Sequence, residues 1–506
     1  MNRRGRSRGV VAVLALGMAL LTACSAPVSQ VAPSVSAETV SPDLVPFYSQ
    51  ALTWKACAAG FTCARVRVPL DWAHPSGKAI SLSLIRHAAA KEKRLGSLFV
   101  NPGGPGASGV RFVRESFDRA VDSTLAASFD VIGFDPRGVG ESTPITCVDS
   151  PAQMDALLYG ITPGKRGSAS WRQANARETK AFGQACLART GDLLGHVDSL
   201  SVARDLDVMR ALVGDPTLNY IGYSYGTFIG GIYAQTFPEH VGRLVLDGAV
   251  DPSVSSDDSL VAQARGFDMA LGNWIAWCVK QNDCPFTGSV TSAQRAIAGI
   301  LSKLDARPEA GSDGRKVGAD TFATAIITPL YSPDSWKYLT QLFADYYSGN
   351  IDTALTLADW YNERADDGTY LSNQTEAFVA VSCLDTPASA PGDVEHTATR
   401  LAAAAPVLGP YFAWGDSCAQ WPERPVIAAT KLGPTGPQPI VVIGTTGDPA
   451  TPIEWARGFA AQLEDGRLIT YRGEGHAGYN RGSKCVDALV DEFLIAHTAP
   501  AASVTC

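Results

Sequence analysis

The stretch YIGYSYGTF, Tyr220–Phe228, places a serine between two glycines where an apolar, strand-like run meets a helix-like run. The pattern is G-x-S-x-G, with Ser224 at its centre. A strand, a tight turn and a helix around such a serine form a nucleophile elbow, because small neighbours let the backbone turn sharply and expose the hydroxyl. The alternative is a small-residue turn without chemistry. The flanking patterns favour the elbow, and they predict an α/β sheet with Ser224 at the end of one strand.

Strand-like and helix-like runs alternate on both sides of this motif. Residues 201–214 have the apolar spacing of a helix, with Ser201 as the expected N-cap. The runs typical of buried strands are SLFVN, FDVIGF, LNYIGYS, GRLVLDG, QPIVVIG and GRLITY. Strands that alternate with helices predict a mostly parallel sheet covered on both faces. Upstream of them, ARVRVPLDW and AISLSLIRHAA predict an antiparallel pair.

The pattern changes between residues 253 and 425, where helix-like stretches rich in Trp, Tyr and Ala show no clear buried strand. We therefore expect a core in two parts, 46–252 and 426–506, which is interrupted by a helical insertion over 253–425. A chain of 506 residues is long enough for more than one folding unit.

The N-terminal segment is predicted to be an export signal. Several arginines precede an apolar stretch, Val10 to Leu21, that is short for a bilayer span, although a short membrane anchor is the alternative. LTAC, which ends at Cys24, resembles the lipobox of bacterial lipoproteins. This resemblance implies cleavage before Cys24 and lipid on its sulfur, whereas ordinary cleavage would leave the cysteine unmodified. We therefore expect a signal peptide over 1–24, a flexible linker over 25–45, and an exported protein, either secreted or a cell-surface lipoprotein.

The eleven cysteines agree with export. If Cys24 carries lipid, ten remain, an even number that suits five disulfides in an oxidising compartment. Spacing alone does not fix their connectivity, and the pairing that we expect joins sequential neighbours. The expected pairs are Cys57–Cys63, Cys147–Cys186, Cys278–Cys284, Cys383–Cys418 and Cys485–Cys506. No C-x-x-C pair or histidine cluster accompanies them, so no metal site is expected.

The charge distribution limits the possible partners. The net charge is −8, and no basic face or stripe follows the N-terminal arginines. A nucleic-acid partner is therefore not expected. Contact with a membrane is expected only through the N-terminal lipid anchor.

A serine hydroxyl becomes a good nucleophile only when a base takes its proton and an acid orients that base. After a nucleophile elbow the chain order is serine, acid, histidine. His476 lies in GEGHAGY, directly after a predicted strand, and Asp448 lies just past QPIVVIG in a Gly- and Pro-rich loop. The alternatives are a structural or solvated histidine and an aspartate that only makes a turn. His240, at a helix end, is interpreted as a cap or surface residue, and Thr451 is close enough in sequence to support Asp448.

An oxyanion hole needs two N–H donors. One is the N–H of Tyr225, the residue after the nucleophile, and the other comes from the loop after the third strand, NPGGPGASG. We predict Gly104 as this second donor, with Gly103 as the alternative. Gly104, Gly106 and Gly109 also match the dinucleotide fingerprint G-x-G-x-x-G, but a lone match is weak, and a P-loop is excluded because no G-K-[ST] follows. No metal or organic cofactor is expected.

Five motifs follow one another along the chain: NPGGPGASG, FDPRGVGEST, GYSYGT, GDPATP and GEGHAGY. In these motifs the sequence resembles the secreted actinobacterial tripeptidyl aminopeptidases, which are relatives of the prolyl aminopeptidases. The resemblance implies the α/β-hydrolase fold, an α/β class with a mostly parallel central sheet, an inserted helical cap domain and a TAP-like C-terminal region. It also implies a serine exopeptidase that releases short peptides from free N-termini through an acyl-enzyme, and a monomer that acts on peptides.

Two positions depart from the prolyl enzymes. Pro102 stands where their glycine-rich loop begins with histidine, and Tyr223 and Tyr225 flank the serine where their elbow reads differently. Both departures favour the tripeptidyl relatives over a strict specificity for proline.

An exopeptidase must recognise the free ammonium of its substrate, which calls for a carboxylate at a fixed distance from the serine. Asp385 is the first candidate, because its neighbour Cys383 is expected in a disulfide. Glu376, in the same stretch TEAFVAVSCLD, and Glu141, in the GVGEST loop, are the others, and each is also compatible with a solvated or structural acid. The competing hypotheses are an esterase or lipase with the same elbow, and a non-catalytic surface-binding lipoprotein that keeps the fold.

Overall fold

The computed structural model describes residues 40–388, 393–413, 417–427 and 431–506. The predicted signal peptide, Cys24 and residues 25–39 of the predicted linker lie outside the described residues. The first helix begins at Val45, at the expected start of the folded part. Within the described ranges, no helix is both long enough and apolar enough to cross a membrane.

The strands are short, and those at the centre of the main sheet are fully buried, whereas those towards its edges are partly exposed. They are β1 (Lys55–Ala58), β2 (Phe61–Pro69), β3 (Ala79–His87), β4 (Gly96–Asn101), β5 (Phe129–Phe134), β6 (Leu218–Tyr223), β7 (Val241–Asp247), β8 (Glu309–Ala310), β9 (Lys316–Val317), β10 (Ile440–Gly447), β11 (Gly466–Glu474) and β12 (Ser503–Thr505). Ten of them form one sheet in the order β1-β2-β3-β5-β4-β6-β7-β10-β11-β12.

The pairing directions confirm the predicted sheet. From β5 through β12 all neighbours in this sheet are parallel, whereas β1, β2 and β3 are antiparallel to theirs. ARVRVPLDW and AISLSLIRHAA lie in β2 and β3, which form the predicted antiparallel pair. The carboxyl ends of the parallel strands therefore meet at one edge, where α/β sheets carry their sites.

Helices cover both faces of the sheet and fill the insertion. They are α1 (Val45–Tyr48), α2 (Gly109–Glu115), α3 (Phe117–Ala120), α4 (Ser123–Ser128), α5 (Pro151–Leu158), α6 (Ala169–Thr190), α7 (Ser199–Leu212), α8 (Tyr225–Thr236), α9 (Ser256–Cys278), α10 (Val290–Ala306), α11 (Ala319–Leu330), α12 (Trp336–Tyr347), α13 (Asp352–Tyr361), α14 (Gln374–Asp385), α15 (Asp393–Ala404), α16 (Gly409–Phe412), α17 (Ile453–Ala460) and α18 (Lys484–Ala496). Short 3-10 helices lie at Lys91–Lys93, Gly191–His196, Pro238–His240, Pro333–Ser335 and Ser417–Gln420.

Alternate side chains of β6 point to opposite faces of the sheet. Leu218 and Tyr220 pack into one apolar core, which includes α7 and α8. Ile221 and Tyr223 pack into another, which includes α18. Because both faces are buried, the strand does not alternate between apolar and polar residues, and its one amide side chain, Asn219, is buried and donates to the carbonyl oxygen of Ser97.

Helix α7 begins two residues earlier than predicted. Its N-cap is Asp198, whose carboxylate accepts the N–H of Ser201 at 2.8 Å. Ser201 is thus inside the first turn and is not the N-cap. Aspartate caps a helix as well as serine does, so sequence preference alone could not choose between the two.

Between β7 and β10 the chain forms α9 to α16 and the short hairpin β8–β9. The first helices of this insertion share a separate apolar core, with Trp274, Ile297, Phe322 and Phe343 among its members. Helix α14 departs from this division, because Ala380 and Leu384 pack into the core beside the sheet. Helix α14 therefore joins the 253–425 stretch to the main body.

Five disulfides join the described residues, in the pairs expected from the sequence. They are Cys57–Cys63, Cys147–Cys186, Cys278–Cys284, Cys383–Cys418 and Cys485–Cys506. The last of these links α18 to the residue that follows β12, and so fixes the C-terminal strand at the sheet edge.

Candidate active site

Ser224 occupies the turn between β6 and α8, at the carboxyl end of the strand. Its φ of 55° and ψ of −125° are rare for a residue other than glycine, as a nucleophile elbow requires. Its N–H donates to the carbonyl oxygen of Asp247, the last residue of β7, at 2.8 Å. The neighbouring strand thus supports the turn, while the serine itself is partly exposed.

His476 and Asp448 meet at the same edge of the sheet, after β11 and β10 respectively. The imidazole Nδ1 lies 3.0 and 2.9 Å from the two carboxylate oxygens of Asp448. This carboxylate is fully buried, and it accepts the backbone N–H groups of Ala450 and Thr451, each at 2.9 Å. These hydrogen bonds fix the carboxylate in place, and a carboxylate held in this way can orient an imidazole through its Nδ1.

Thr451 contacts both members of this pair. Its hydroxyl donates to Asp448 at 2.8 Å and lies 3.2 Å from His476 Nδ1. A side chain at Gly248 would meet the Thr451 hydroxyl at 3.0 Å and His476 Cε1 at 3.1 Å. Gly248 directly follows the residue of β7 that accepts the N–H of Ser224. The structure therefore brings the predicted serine, histidine and aspartate to one short stretch of the sheet edge.

The surroundings of His476 favour its charged form. Burial opposes the imidazolium, but the charge and the hydrogen bond of Asp448 outweigh burial, so the pKa of His476 is raised above its ordinary value. Asp247 adds negative charge in the same direction, and Arg481 acts against it. A raised pKa suits a base that accepts the serine proton and then donates it to the leaving group.

The glycine-rich loop packs directly on the elbow. Gly103 has a φ of 90°, and a side chain there would come within 2.7 Å of the Tyr225 nitrogen. Tyr225 is the first residue of α8, so its N–H has no acceptor within the helix. The N–H of Gly103 already donates to Asn101 Oδ1 at 2.8 Å. This bond removes Gly103 as the second oxyanion donor and favours Gly104, the residue predicted first.

The glycines of this loop have a structural reason that differs from dinucleotide binding. A side chain at Gly106 would lie 2.8 Å from the backbone of Gln374 and 2.8 Å from that of Phe378, both in α14. The loop needs glycine there because the protein's own backbone approaches it. Within the described residues, no group of three or more His, Cys, Asp or Glu side chains is placed to hold a metal ion.

Asp385 does not fit the role of ammonium ligand. It lies behind the elbow and is only 4% exposed. One of its oxygens accepts the hydroxyl of Tyr225 and the other accepts the N–H of Ser199 at 2.9 Å. Burial raises the pKa of Asp385 to about 7. The prediction for this residue is therefore corrected, because both oxygens are engaged inside the protein: Asp385 fixes the side chain of Tyr225.

Glu376 and Glu141 line a single cavity of about 570 Å³. Ser108, from the end of the glycine-rich loop, lines the same cavity, whereas Gly104, Ser224 and Tyr225 do not. Glu376 is buried, and its Oε1 accepts the N–H of Cys147 at 2.7 Å. Glu141 is exposed and lies 3.8 and 3.7 Å from two arginine side chains. Of the two, Glu376 fits the predicted role better, since it forms no ion pair with an arginine among the described residues.

Two residues of this region were not predicted from the sequence. The carbonyl of Tyr331, just after α11, accepts the N–H of His476 at 2.8 Å, and the two rings meet edge to face with centroids 5.5 Å apart. Asp247 accepts backbone N–H groups of the loop that carries His476. Tyr331 gave no sequence signal, whereas Asp247 was an acid directly after the apolar run Leu244–Leu246.

Known proteins resemble this chain over most of its length. A family model described as the alpha/beta hydrolase fold matches residues 96–480. Serine protease Hip1 of Mycobacterium tuberculosis is 34% identical over 488 residues, which cover 91% of this chain and 92% of that protein. Carboxylesterase B of M. tuberculosis is 35% identical over 452 residues, or 88% and 86% of the two chains. Tripeptidyl aminopeptidase of Streptomyces lividans is 32% identical over 471 residues, or 90% and 86%.

Proposed function

This chain belongs to the α/β-hydrolase family, and on that premise we propose that it is a serine exopeptidase that removes short peptides, tripeptides above all, from free N-termini. The relatives confirm the resemblance that the five motifs predicted. The observation that carries the proposal is the buried Asp448–His476 pair at the sheet edge that also presents Ser224. That arrangement is the one that acyl transfer needs.

The proposed mechanism runs through an acyl-enzyme. Neutral His476 takes the proton of Ser224, whose oxygen attacks the peptide carbonyl. The N–H groups of Gly104 and Tyr225 stabilise the oxyanion. The imidazolium, oriented by Asp448, then donates its proton to the leaving amine. Water hydrolyses the acyl-enzyme by the same route and restores the free serine.

The cap and its acids account for the exopeptidase step of the proposal. An extended tripeptide spans about 10 Å, so a carboxylate at a fixed distance from the serine can select the third peptide bond. We assign this role first to Glu376 and then to Glu141, because both line the cavity beside the oxyanion loop. The insertion over 253–425 is proposed to act as the cap, with Tyr331 as its contact to the histidine loop.

An esterase is the second candidate, because carboxylesterase B is among the relatives. The elbow and the oxyanion loop serve ester and amide substrates alike. What separates the two functions is recognition of the substrate's ammonium, which an ester lacks.

The test uses a tripeptidyl 4-nitroanilide with a free N-terminus and its N-acetylated counterpart, with the wild type and Ser224→Ala. We expect cleavage of the free-amine substrate, at least ~100-fold weaker cleavage after acetylation, and an inactive Ser224→Ala variant. Equal cleavage of both peptides would point to an endopeptidase. Turnover of simple esters alone would point to the esterase.

The ammonium ligand is tested with the same substrates. Glu376→Gln should raise KM for the free-amine peptide by roughly tenfold, which corresponds to the loss of one ion pair. Glu141→Gln is the matched control, since its carboxylate faces arginines, and we expect a smaller change. If Glu376→Gln leaves KM unchanged, Glu376 does not bind the ammonium.

The proposal includes export and an N-terminal lipid. The disulfides favour an oxidising compartment. We propose that Cys24 carries the lipid, that this lipid makes the only membrane contact, and that the protein is a monomer without a nucleic-acid partner. Cys24→Ser should move the protein from the membrane fraction to the medium, and size-exclusion chromatography should give the mass of one chain.

A further inference from the structure

Asp247 is a buried carboxylate for which the acyl-enzyme mechanism has no role. It ends β7 and has no exposed surface. Both of its oxygens accept the N–H of Gly478, at 2.9 and 3.0 Å, and one also accepts the N–H of Tyr479 at 2.8 Å. These two donors lie two and three residues after His476. The carboxylate thus binds the chain on which the catalytic histidine is carried.

The same residue also holds the nucleophile. Its carbonyl oxygen accepts the N–H of Ser224 at 2.8 Å. In the sheet, Asp247 pairs with Tyr223 on one side and with Ile443 on the other. It therefore lies between the strand that delivers the serine and the strand that delivers the acid, and its side chain reaches the loop that delivers the histidine.

The charge of Asp247 acts on the imidazole as well. The groups that face His476 are Asp448, Asp247 and Arg481, together with the ring of Tyr331 from the cap. Of these, the two aspartates raise the pKa of His476 and Arg481 lowers it. Burial raises the pKa of Asp247 to about 6, although the backbone N–H groups and the charges of Arg481 and His476 act to lower it. Above neutral pH this carboxyl is therefore mostly ionised.

We propose that Asp247 is a positioning residue that fixes the His476 loop against the nucleophile elbow and adds a second negative charge behind the imidazolium. The inference rests on the proposed serine, histidine and aspartate site, but it does not depend on exopeptidase specificity. Any reaction that proceeds through the imidazolium should be affected, including ester hydrolysis and phosphonylation of the serine.

The test measures kcat/KM for a 4-nitrophenyl ester from pH 5 to 9, with the wild type, Asp247→Asn and Asp247→Ser. Asp215→Asn is the matched control, because the Asp215 carboxylate also accepts a backbone N–H, from Ser97 at 2.8 Å, but it is only partly buried and lies at the amino edge of the sheet. For both Asp247 variants we expect a plateau ~10–100-fold lower, from the displaced histidine. The acidic limb of the kcat/KM profile should also move ~0.5–1 pH unit lower, because the imidazolium of His476 loses a neighbouring negative charge. Asp215→Asn should change neither quantity.

A lower plateau with an unmoved acid limb would mean that Asp247 is only structural and would overturn the proposal. The same conclusion follows if neither Asp247 variant folds, as judged by circular dichroism, while Asp215→Asn does, or if both keep wild-type profiles. A wild type that neither turns over the ester nor reacts with a fluorophosphonate would overturn the proposed function, and the inference with it. If the ester and the fluorophosphonate react but the free-amine peptide is not cleaved, only the exopeptidase specificity fails.

Discussion

In the part of the chain that the structure describes, two pairs join a histidine Nδ1 to a buried aspartate, and their surroundings differ. His476 lies 2.9 Å from Asp448 at the sheet edge, and His240 lies 2.8 Å from Asp207 beside α8. Both aspartates are almost fully buried, with side chains 0% and 2% exposed, and both histidines are partly exposed. Both pairs thus have the contact between histidine Nδ1 and a carboxylate that is typical of a catalytic dyad, and they differ in the residues around them.

The Asp207 pair is surrounded by side chains that keep it fixed. Asp207 accepts Arg210 Nε at 2.8 Å and the hydroxyls of Tyr48 and Tyr233 at 2.7 and 3.0 Å. Arg210 Nη2 lies 3.2 Å from His240 Nδ1. The Asp207 carboxylate thus has an arginine and two tyrosine hydroxyls as partners besides His240, as expected of a structural cluster.

The Asp448 pair is held by backbone N–H groups and by Thr451 instead. Within the described residues, Asp448 has no ion pair with a lysine or arginine, and its charge remains available to the imidazolium of His476. Ser224 and the oxyanion loop lie at the same edge. A His–Asp contact therefore suits catalysis when a nucleophile lies at the same edge and no lysine or arginine pairs with the aspartate.

The largest expected effect separates the two histidines. His476→Ala should lower kcat/KM by ~10⁴-fold or more, because the serine loses its base. His240→Ala should keep kcat/KM within a few-fold, but lower the free energy of unfolding by roughly 1–3 kcal/mol, since Asp207 loses a partner in a buried cluster. Steady-state kinetics and urea unfolding of both variants check this. A His240→Ala variant that is folded but inactive would contradict the structural role assigned to His240.

The next largest effect is expected in the glycine-rich oxyanion loop, which lies at the edge of the sheet that carries the Asp448–His476 pair. Gly103→Ala would place a methyl group 2.7 Å from the Tyr225 nitrogen and should lower kcat by ~10²–10³-fold. Gly214→Ala is the matched control: Gly214 has a similar φ of 83°, but nothing lies within 4 Å of the added carbon. It should cost stability without lowering kcat. Equal kcat values in the two variants would contradict a role for the loop in holding the donors.

A third prediction concerns the pH dependence of stability at the second pair. Burial raises the pKa of Asp207, but its hydrogen bonds to His240 and Arg210 outweigh burial and lower it to about 2, below an unfolded value near 3.8. A carboxyl whose pKa is lower in the folded state than in the unfolded state adds stability at pH values above the unfolded-state pKa. This stability is lost as the pH falls toward the folded-state pKa. Asp207→Asn should therefore cost about 2 kcal/mol more at pH 5 than at pH 2, measured by urea unfolding. A difference that does not change with pH would contradict this assignment.

The smallest effect is expected at Thr451. Thr451→Val removes the hydroxyl that donates to Asp448 and should lower kcat by roughly tenfold with little change in KM. Thr340→Val is the control, because Thr340 is equally buried but lies in α12 of the cap. If both variants retain wild-type kcat, Thr451 does not support the catalytic aspartate.

The sequence was sufficient for the features that are local in the chain. The elbow at Ser224, the parallel strands and the loop positions of Asp448 and His476 follow from short motifs and from apolar periodicity. These motifs also led to the correct family, because each combines a strand end with a turn whose chemistry is specific.

The features that could not be predicted depend on long-range packing. Asp385 was predicted to bind ammonium, but it contacts Tyr225, 160 residues away in sequence, and no local pattern records that contact. His240 was interpreted as a cap or surface residue, and its partner Asp207 comes from another helix. The role of Asp247 likewise depends on three separate chain segments that meet only after folding.

The most direct test of this account is to label the wild-type protein with a fluorophosphonate and to identify the modified residue by mass spectrometry. We expect a single modified residue, Ser224. Its labelling rate should rise with pH as His476, whose pKa is raised above the ordinary 6.5, loses its proton. Modification of any other residue, or no modification of the folded protein, would contradict the claim that Ser224, Asp448 and His476 act together as one site.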